Sequence, residues 1–229
     1  MSHTRLATIA DDIARCRACP RLVTWREEVA RVRRRAYAAE RYWGRPVPGF
    51  GDPRARVVLL GLAPGAHGAN RTGRMFTGDG SGDFLYAALH RAGLASQPIS
   101  LGRDDGLRLT GAFVTNACRC VPPANRPAPD ELARCAPFLD RELASLRGVR
   151  AVVALGAIAW AAALAHLART GLAIPRPRPR FAHGAELRLA GAPALLGCYH
   201  PSRQNTNTRR LTPAMVDAVI ARALEIAAE

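Results

Sequence analysis

Two side chains in a glycine-rich segment, Phe76 and Asp79, are of the types that bind a flat, polar ring. They lie three positions apart in GLAPGAHGANRTGRMFTGDGSG, which begins at Gly61 and follows an apolar run. Glycine lets the backbone approach a ligand closely, so bare amides, an aromatic ring and a carboxylate would meet there. The segment therefore predicts a site for a polar planar base; the alternative is an ordinary glycine-rich surface loop.

A second segment, YHPSRQN at residues 199–205, favours the functional interpretation of the first. It follows an apolar run and contains a histidine, His200, directly before a proline. A structural turn is the alternative for this histidine.

The cysteines predict a metal or cluster site. Cys16 and Cys19 form a C-x-x-C turn, and Cys120 and Cys135 follow about a hundred residues later. The wide spacing of the second pair is poor for a zinc knuckle, whose cysteines come in two short pairs. It suits an iron–sulfur cluster, whose thiolate ligands can come from separate elements. Zinc and unconnected free thiols are the alternatives.

The remaining two cysteines are expected to have other roles. Cys118 lies two positions before Cys120, so in an extended segment only one of their side chains should reach a cluster. We expect Cys120 to be the ligand because Pro122 and Pro123 rigidify the chain after it. If the match of the motif is offset, Cys118 would be the ligand instead. Cys198 lies in an apolar strand, which indicates a core position.

The composition favours a polyanionic partner. The 229 residues include 33 basic and 18 acidic residues, for a formal net charge of +15, and every basic residue is arginine. Arginine binds phosphate through a planar fork, and an excess of positive charge attracts polyanions. The lack of lysine excludes a lysine Schiff base, so apart from use of the N-terminal amine a reaction at a sugar C1′ would use water or a carboxylate. A solvated basic surface in a GC-rich organism is the alternative.

The chain carries no predicted export or membrane signal. Its amino terminus lacks a basic stretch followed by an apolar core, so no signal peptide is expected. Residues 151–168 are apolar, but Gly156 divides them into a strand and a buried helix. We therefore expect a cytoplasmic protein, where cysteines favour a metal or cluster over disulfides.

Alternating strands and helices position these residues. An amino-terminal helical region is predicted over 4–35, interrupted near Cys19-Pro20. The predicted strands cover 56–61, 111–116, 149–155, 186–189 and 194–199, and the predicted helices 82–93, 129–146 (with Asp130 as its cap), 157–169 and 212–228. This order predicts an α/β fold with a mostly parallel sheet covered on both faces, as one domain over 1–229. Ligands of such sheets bind beyond the carboxyl ends of the strands, where both polar segments lie.

Four motifs together resemble the uracil-DNA glycosylase superfamily, most closely its type B branch, also called family 5. They are C-x-x-C-P from Cys16, the glycine-rich segment, CVPPANRPAP from Cys120, and YHPSRQNTNTRRLT from Tyr199. The resemblance, from about residue 11 to 226, implies a three-layer α/β/α sandwich with a monofunctional glycosylase activity. It also implies that a [4Fe-4S] cluster ties a helical region (about 1–45) to the core, with Cys16, Cys19, Cys120 and Cys135 as ligands.

The resemblance implies catalytic roles for three residues. Asp79 would stabilise the positive charge on the sugar and orient water, and His200 would hydrogen-bond O2 of the departing base. Asn125 would position water or bind the base. The alternatives are a helix cap for Asp79 and an ordinary turn position for Asn125.

The same resemblance implies binding roles. Phe76 would stack on the flipped base, and its core alternative stays open. Arg203 and Gln204 would enter the groove or fill the gap left by the flipped nucleotide. The implied base-binding set is Gly61, Ala63, Phe76 and Asn205, of which Asn205 has an ordinary turn position as its alternative. Asn116, at the end of a strand, is expected to be structural, and the alternative is that it faces the base.

One departure concerns substrate range. Leu62 and Ala63 are apolar where other branches of the superfamily place Glu, Asp or Asn. A less polar pocket should discriminate less strictly, which predicts excision of uracil and of other deaminated or modified bases, such as hypoxanthine and ethenocytosine, from double-stranded DNA. Separately, we expect a monomer that associates with the bacterial nucleoid through DNA. A non-catalytic iron–sulfur DNA-binding protein is the main alternative, and a redox or cluster-carrier protein is another.

Overall fold

The computed structural model describes residues 2–229, and Met1, the first residue of the predicted single domain, lies outside them. The helices of this part are α1 Ser2–Arg15, α2 Pro20–Val32, α3 Ala69–Thr72, α4 Gly80–Arg91, α5 Pro129–Ser145, α6 Ala157–Arg169, α7 Arg203–Asn207 and α8 Pro213–Ala228. The strands are β1 Phe50–Gly51, β2 Val57–Gly61, β3 Ala112–Asn116, β4 Ala151–Leu155, β5 Glu186–Leu187 and β6 Ala194–Cys198. Short 3-10 turns cover Arg35–Tyr37 and Pro123–Asn125.

The strands form one mixed sheet in the order β1-β3-β2-β4-β6-β5. The four inner strands pair in parallel, and the two-residue strands β1 and β5 add antiparallel edges. Every residue of the inner strands is buried, as expected for parallel strands with helices on both faces. The predicted mostly parallel sheet is confirmed.

Helices cover both faces of the sheet. Along β2, Val57 and Leu59 belong to one core cluster, which includes residues of α4 and α8. Val58 and Leu60 belong to a second cluster, which includes residues of α5 and α6. Side chains of a strand alternate between its two faces, so one apolar strand supplies both cores. The arrangement is the predicted three-layer α/β/α sandwich.

Sequence patterns located the long elements more accurately than the short ones. Helix α6 has its predicted bounds, 157–169, whereas α3, α7 and β1 were not predicted because they span only two to five residues. The amino-terminal region is helical over Ser2–Arg15 and Pro20–Val32, with the predicted interruption at 16–19, and then only in the turn at 35–37, so it is not helical throughout 2–45.

The prediction that Asp130 caps α5 was wrong. Ala128 occupies the cap position, and its N–H is bound by Glu131 Oε2 at 2.7 Å, while Asp130 pairs with Arg134. The apolar stretch 151–168 forms β4 and most of α6, and none of the described helices is long and apolar enough to cross a membrane.

Candidate active site

A pocket lies beyond the carboxyl ends of β2 and β6, where the two polar segments meet. Its lining comes from the glycine-rich loop after β2, the turn at Asn125, the segment after β6, and the chain just after α2. The lining residues are Arg34, Tyr37, Leu62, Ala63, Gly65, Ala66, His67, Gly68, Phe76, Gly78, Asp79, Gly80, Ser81, Asn125, His200, Ser202, Arg203 and Gln204. It therefore brings together Ala63, Phe76, Asp79, Asn125, His200, Arg203 and Gln204 of the predicted set.

Asp79 uses its two carboxylate oxygens differently. It is the N-cap of α4, and its Oδ1 accepts hydrogen bonds from the N–H groups of Ser81 at 3.0 Å and Gly82 at 3.1 Å. Its Oδ2 lies against the glycine loop, because a Cβ on Gly65 would be 2.7 Å from it and one on Gly68 only 1.9 Å away. The capping alternative is therefore confirmed, and the second oxygen stays on the pocket side of the cap.

Phe76 and His200 form one wall of the pocket. Their ring centroids are 5.9 Å apart with an interplanar angle of 33°, which is within the range of direct aromatic contact. Phe76 is only 7% exposed and belongs to the core cluster around α4 and α8, so it is both a core residue and a pocket residue. Its backbone has a φ of 51°, a left-handed conformation that is uncommon for a bulky residue.

Gly61 lies behind this wall, outside the pocket lining. A Cβ there would lie 2.6 Å from Cζ of Phe76 and 2.3 Å from Oδ1 of Asn116. Gly61 therefore makes room for both side chains at the end of β2. Its amide-binding role remains a prediction.

His200 is held as a neutral imidazole. Burial lowers its pKa from 6.5 to about 4. Asn205 Nδ2 donates a hydrogen bond of 2.9 Å to the carbonyl oxygen of His200, and Ser202 Oγ accepts one from the Asn205 N–H at 3.4 Å. Asn205 is not among the described lining residues of the pocket. It braces the turn that presents the imidazole, and base binding by Asn205 remains a prediction.

Asn125 reaches the pocket from a strained turn. It has a φ of 55°, and Ala124 before it has a φ of 51° in the 3-10 turn after the prolines. Two consecutive non-glycine residues in this region cost free energy that the surrounding structure must supply, a pattern typical of functional sites. The turn begins at Pro123, shortly after Cys120. A group that binds the Cys120 sulfur would therefore also restrain the position of Asn125.

The chain after α2 closes one side of the pocket, which the sequence did not indicate. Arg34 and Tyr37 line it, and the guanidinium of Arg71 stacks on the Tyr37 ring at 3.9 Å. Arg71 also donates hydrogen bonds to the carbonyl oxygens of His67 at 2.7 Å and Gly78 at 2.9 Å. Arg71 therefore attaches this segment to the glycine loop. The only signal in the sequence was the arginine run at 33–35.

Asn116 was expected to be structural, and its surroundings place it beneath the pocket. Its Nδ2 is 2.9 Å from Sδ of Met75. Its Oδ1 is buried and has no hydrogen-bond partner in the part of the chain that the structure describes. A buried amide oxygen without a hydrogen-bond partner lowers the stability of the fold. A hydrogen-bond donor supplied from outside the described side chains would therefore be favourable at this position behind Phe76.

The four cysteines predicted as ligands line one small cavity between α2, α5 and the segment after β3. Cys16, Cys19, Cys120 and Cys135 all contribute to it. Among residues 4–229, whose side chains the structure describes, no three His, Cys, Asp or Glu side chains are arranged to hold a single metal ion.

The other two cysteines lie outside this lining. Cys118 Sγ lies 3.4 Å from the Cys120 carbonyl oxygen, and its hydrogen bond to Cys135 lowers the pKa of the Cys135 thiol. Cys198 is buried in β6, and burial raises its pKa to about 12. Its predicted core position is confirmed.

Comparisons with known proteins agree on one family. The model of the Uracil DNA glycosylase superfamily matches residues 48–224. A "Type-5 uracil-DNA glycosylase" of Thermus thermophilus is 57% identical over 212 residues, which are 93% of this chain and 94% of the relative. The protein of that name in Mycobacterium tuberculosis is 55% identical over 216 residues, 94% of this chain and 79% of the relative. A "Type-4 uracil-DNA glycosylase" of Pyrobaculum aerophilum is 31% identical over 164 residues, 71% of this chain and 74% of the relative.

Proposed function

The chain belongs to the uracil-DNA glycosylase superfamily and to its type 5 branch, and we propose that the pocket between Phe76, Asp79 and His200 is its active site. The resemblance drawn from the motifs is thereby confirmed. As a uracil-DNA glycosylase, the protein is a hydrolase of N-glycosidic bonds. The observation that supports the site is that segments far apart in sequence bring an aromatic ring, a carboxylate and a neutral imidazole into one pocket.

The first step is to take the base out of the helix. A base inside a duplex is inaccessible, so the enzyme flips the nucleotide at a cost of a few kcal/mol. The flipped base stacks on Phe76, whose ring is fixed from behind by core packing and by Gly61. Arg203 and Gln204, exposed on the rim in α7, fill or flank the gap left in the duplex.

Cleavage then develops negative charge on the base and positive charge on the sugar. His200 donates a hydrogen bond to O2 of the base, where the negative charge grows, and its lowered pKa keeps the imidazole neutral before the reaction. A preorganised donor at such a position contributes about 3 kcal/mol to transition-state stabilisation. The brace from Asn205 holds this donor in place.

Asp79 provides the opposite charge. Its Oδ2 stabilises the positively charged sugar and orients water, while Oδ1 stays bound to the first turn of α4. Asn125 positions the water from the other side. Because the chain contains no lysine, water completes the reaction and the DNA strand stays intact at an abasic site.

The substrate range includes hypoxanthine and ethenocytosine in double-stranded DNA as well as uracil. Leu62 and Ala63 line the pocket where a polar side chain would restrict the edge of the base. The formal charge of +15 and the exposed Arg34 and Arg203 on the rim favour binding of the DNA backbone on both sides of the flipped nucleotide. One copy of the chain supplies all these residues, so a monomer suffices for the reaction. We place the enzyme in the cytoplasm, where its proposed DNA substrate lies.

The four cysteines that line one cavity fit a [4Fe-4S] cluster. Each ligand of such a cluster binds a different iron atom, so the sulfurs need not surround a single point. Arg26 and Arg119 also line the cavity, and each has a buried Nε that lacks a hydrogen-bond partner among the described residues. Buried donors of this kind favour an occupant with acceptor sulfurs. The cluster would be structural, joining α2 to α5 and to the segment that carries Asn125.

The activity is tested by base excision on end-labelled duplexes containing uracil, hypoxanthine or ethenocytosine, with and without alkali. Strand breaks that appear only after alkali are expected for all three bases, because a monofunctional glycosylase leaves an abasic site. Breaks without alkali would contradict the monofunctional mechanism. Excision of uracil alone would contradict the broad pocket. DNA binding without excision by cluster-loaded protein would favour the non-catalytic alternative.

The cluster is tested by iron and sulfide content of the purified protein and of two matched variants. Cys120→Ala should lose most of its iron because Cys120 lines the cavity. Cys118→Ala, two residues away, should keep it because Cys118 lies outside the lining. The reverse result would move the ligand assignment to Cys118, and iron-free wild-type protein would contradict the cluster.

A further inference from the structure

Arg26 is a buried cation whose hydrogen bonds go to the cysteine cavity. It lies on α2, is 2% exposed, and lines the cavity with the four cysteines. Its Nη1 donates to Sγ of Cys120 at 3.0 Å, and its Nη2 donates to the carbonyl oxygen of Cys16 at 3.1 Å. Its Nε is buried and has no hydrogen-bond partner among the side chains that the structure describes, those of residues 4–229.

The carboxylates around Arg26 do not account for its burial. The only carboxylate that pairs with it in the described part of the chain is Glu27, at 3.8 Å. Glu27 is 44% exposed and is itself bound by Arg17. Burying a guanidinium without a close counter-charge is unfavourable, so negative charge is required elsewhere around it.

Arg119 provides the contrast within the same cavity. It also lines the cavity and has a buried Nε without a partner, but its Nη2 is paired at 2.9 Å with Glu142, which is only 3% exposed. Its Nη1 donates to Thr115. The charge of Arg119 is therefore compensated within the fold, and the charge of Arg26 faces the cysteines.

We propose that Arg26 is a positioning residue for the iron–sulfur cluster, which compensates the negative charge of the cluster and its thiolates and fixes the Cys120 sulfur by a hydrogen bond. This inference rests on the cluster proposed above. A cation close to the ligands stabilises the reduced, more negative form of the cluster and makes oxidation harder. Arg26 thus raises the reduction potential and slows oxidative loss of the cluster.

The test compares Arg26→Met with Arg31→Met in the full-length, cluster-loaded protein. Arg31 is on the same helix, but it is 73% exposed and pairs with Glu28, so its substitution removes the same charge away from the cavity. The reduction potential is measured by voltammetry, and cluster loss in air with a chelator is followed by visible absorbance. Arg26→Met should lower the equilibrium constant for one-electron reduction at least tenfold, a shift of about 59 mV to more negative potential, and speed cluster loss at least tenfold. Arg31→Met should behave as wild type.

Equal potentials and equal rates of cluster loss in the two variants would overturn the role of Arg26 while leaving the cluster itself intact. A wild-type protein without iron and sulfide would overturn both. If Arg26→Met does not fold, Arg26→Lys takes its place, since it keeps the charge but not the planar fork. That variant should keep the wild-type potential yet lose the cluster several-fold faster, and wild-type behaviour in both respects would overturn the proposal.

Discussion

Asp79 shows how one side chain combines folding and chemistry. Its Oδ1 accepts two backbone hydrogen bonds at the start of α4, and its Oδ2 lies against the glycine loop. A capped helix start holds the carboxylate in a single orientation, which a catalytic group requires. The capping and catalytic interpretations of the residue therefore support each other.

Asp79→Asn should separate the two roles. Asparagine caps helices about as well as aspartate, so the free energy of unfolding should change by less than about 0.5 kcal/mol. Excision should slow at least about 100-fold because the charge near the sugar is lost. Thr212→Ala, which removes the cap of α8 away from the pocket, is the control: it should cost about 1 kcal/mol in denaturant unfolding and leave single-turnover excision unchanged. Full excision by Asp79→Asn would exclude Asp79 from the chemistry.

The partly buried imidazole of His200 should make stability depend on pH. Its pKa is about 4 in the folded protein and 6.5 in the unfolded chain, so between these values the unfolded chain binds the extra proton. The free energy of unfolding should therefore fall as pH falls from 6.5 to 4, by up to about 1.4 kcal/mol per pH unit from this residue. Urea unfolding at several pH values should show a smaller fall for His200→Gln. An identical fall would mean that His200 titrates normally.

Gly61 should tolerate no side chain. A Cβ there would lie 2.3 Å from Asn116 Oδ1 and 2.6 Å from Phe76 Cζ, so Gly61→Ala must displace the wall of the pocket. We expect a loss of about 1–3 kcal/mol in stability and a larger fall in excision than in DNA binding. Gly102→Ala is the control, because a Cβ at Gly102 has no atom within 4 Å among those described. Wild-type excision by Gly61→Ala would show that the wall can move freely.

At the scale of elements, the proposed active site is assembled at the carboxyl ends of β2 and β6. These parallel strands flank β4, and each opens into a loop that carries part of the pocket. The amino-terminal helices pack outside this sheet: α1 contacts α5 and α2 contacts α3. The cysteine cavity lies between these helices and the core, so a cluster there would act on the fold rather than on a reaction step.

Cys16→Ala should therefore lower stability and iron content together. Cys16 follows α1 directly and lines the cavity, so losing it should release the amino-terminal helices. Thermal unfolding and iron content should both fall, and excision should fall in proportion to the folded fraction. Cys198→Ala, a buried cysteine of β6 outside the cavity, should keep full iron content. Full stability of an iron-free Cys16→Ala protein would contradict the structural role.

At the scale of the whole molecule, the positive charge should govern DNA binding. The chain has 33 arginines and 18 acidic residues, and arginines lie on both the α2 side and the α7 side of the pocket. Each phosphate contact releases counterions, so binding weakens as salt rises, and the steepness of the dependence reports the number of contacts.

Arg34→Gln should reduce the slope of log affinity against log salt by about 1, with little dependence on the DNA sequence. The affinity is measured by fluorescence anisotropy with an abasic-site duplex at several salt concentrations. Arg31→Gln, at an exposed position outside the pocket lining, should leave the slope unchanged. Equal slopes for the two variants would show that Arg34 does not contact phosphate.

The sequence by itself determined the layered α/β fold, the glycine loop and the two polar segments. Apolar runs and glycines act locally, so strands β2 and β6 and helix α6 could be located from neighbouring residues alone. Only the tertiary structure decided that Arg34 and Tyr37 close the pocket, that Asn205 braces His200, and that Arg26 faces the cysteines. The first and the last of these relations join residues that are distant in sequence, and the second joins opposite sides of one turn. They depend on how α2 and the loops pack on the sheet, which no local pattern encodes.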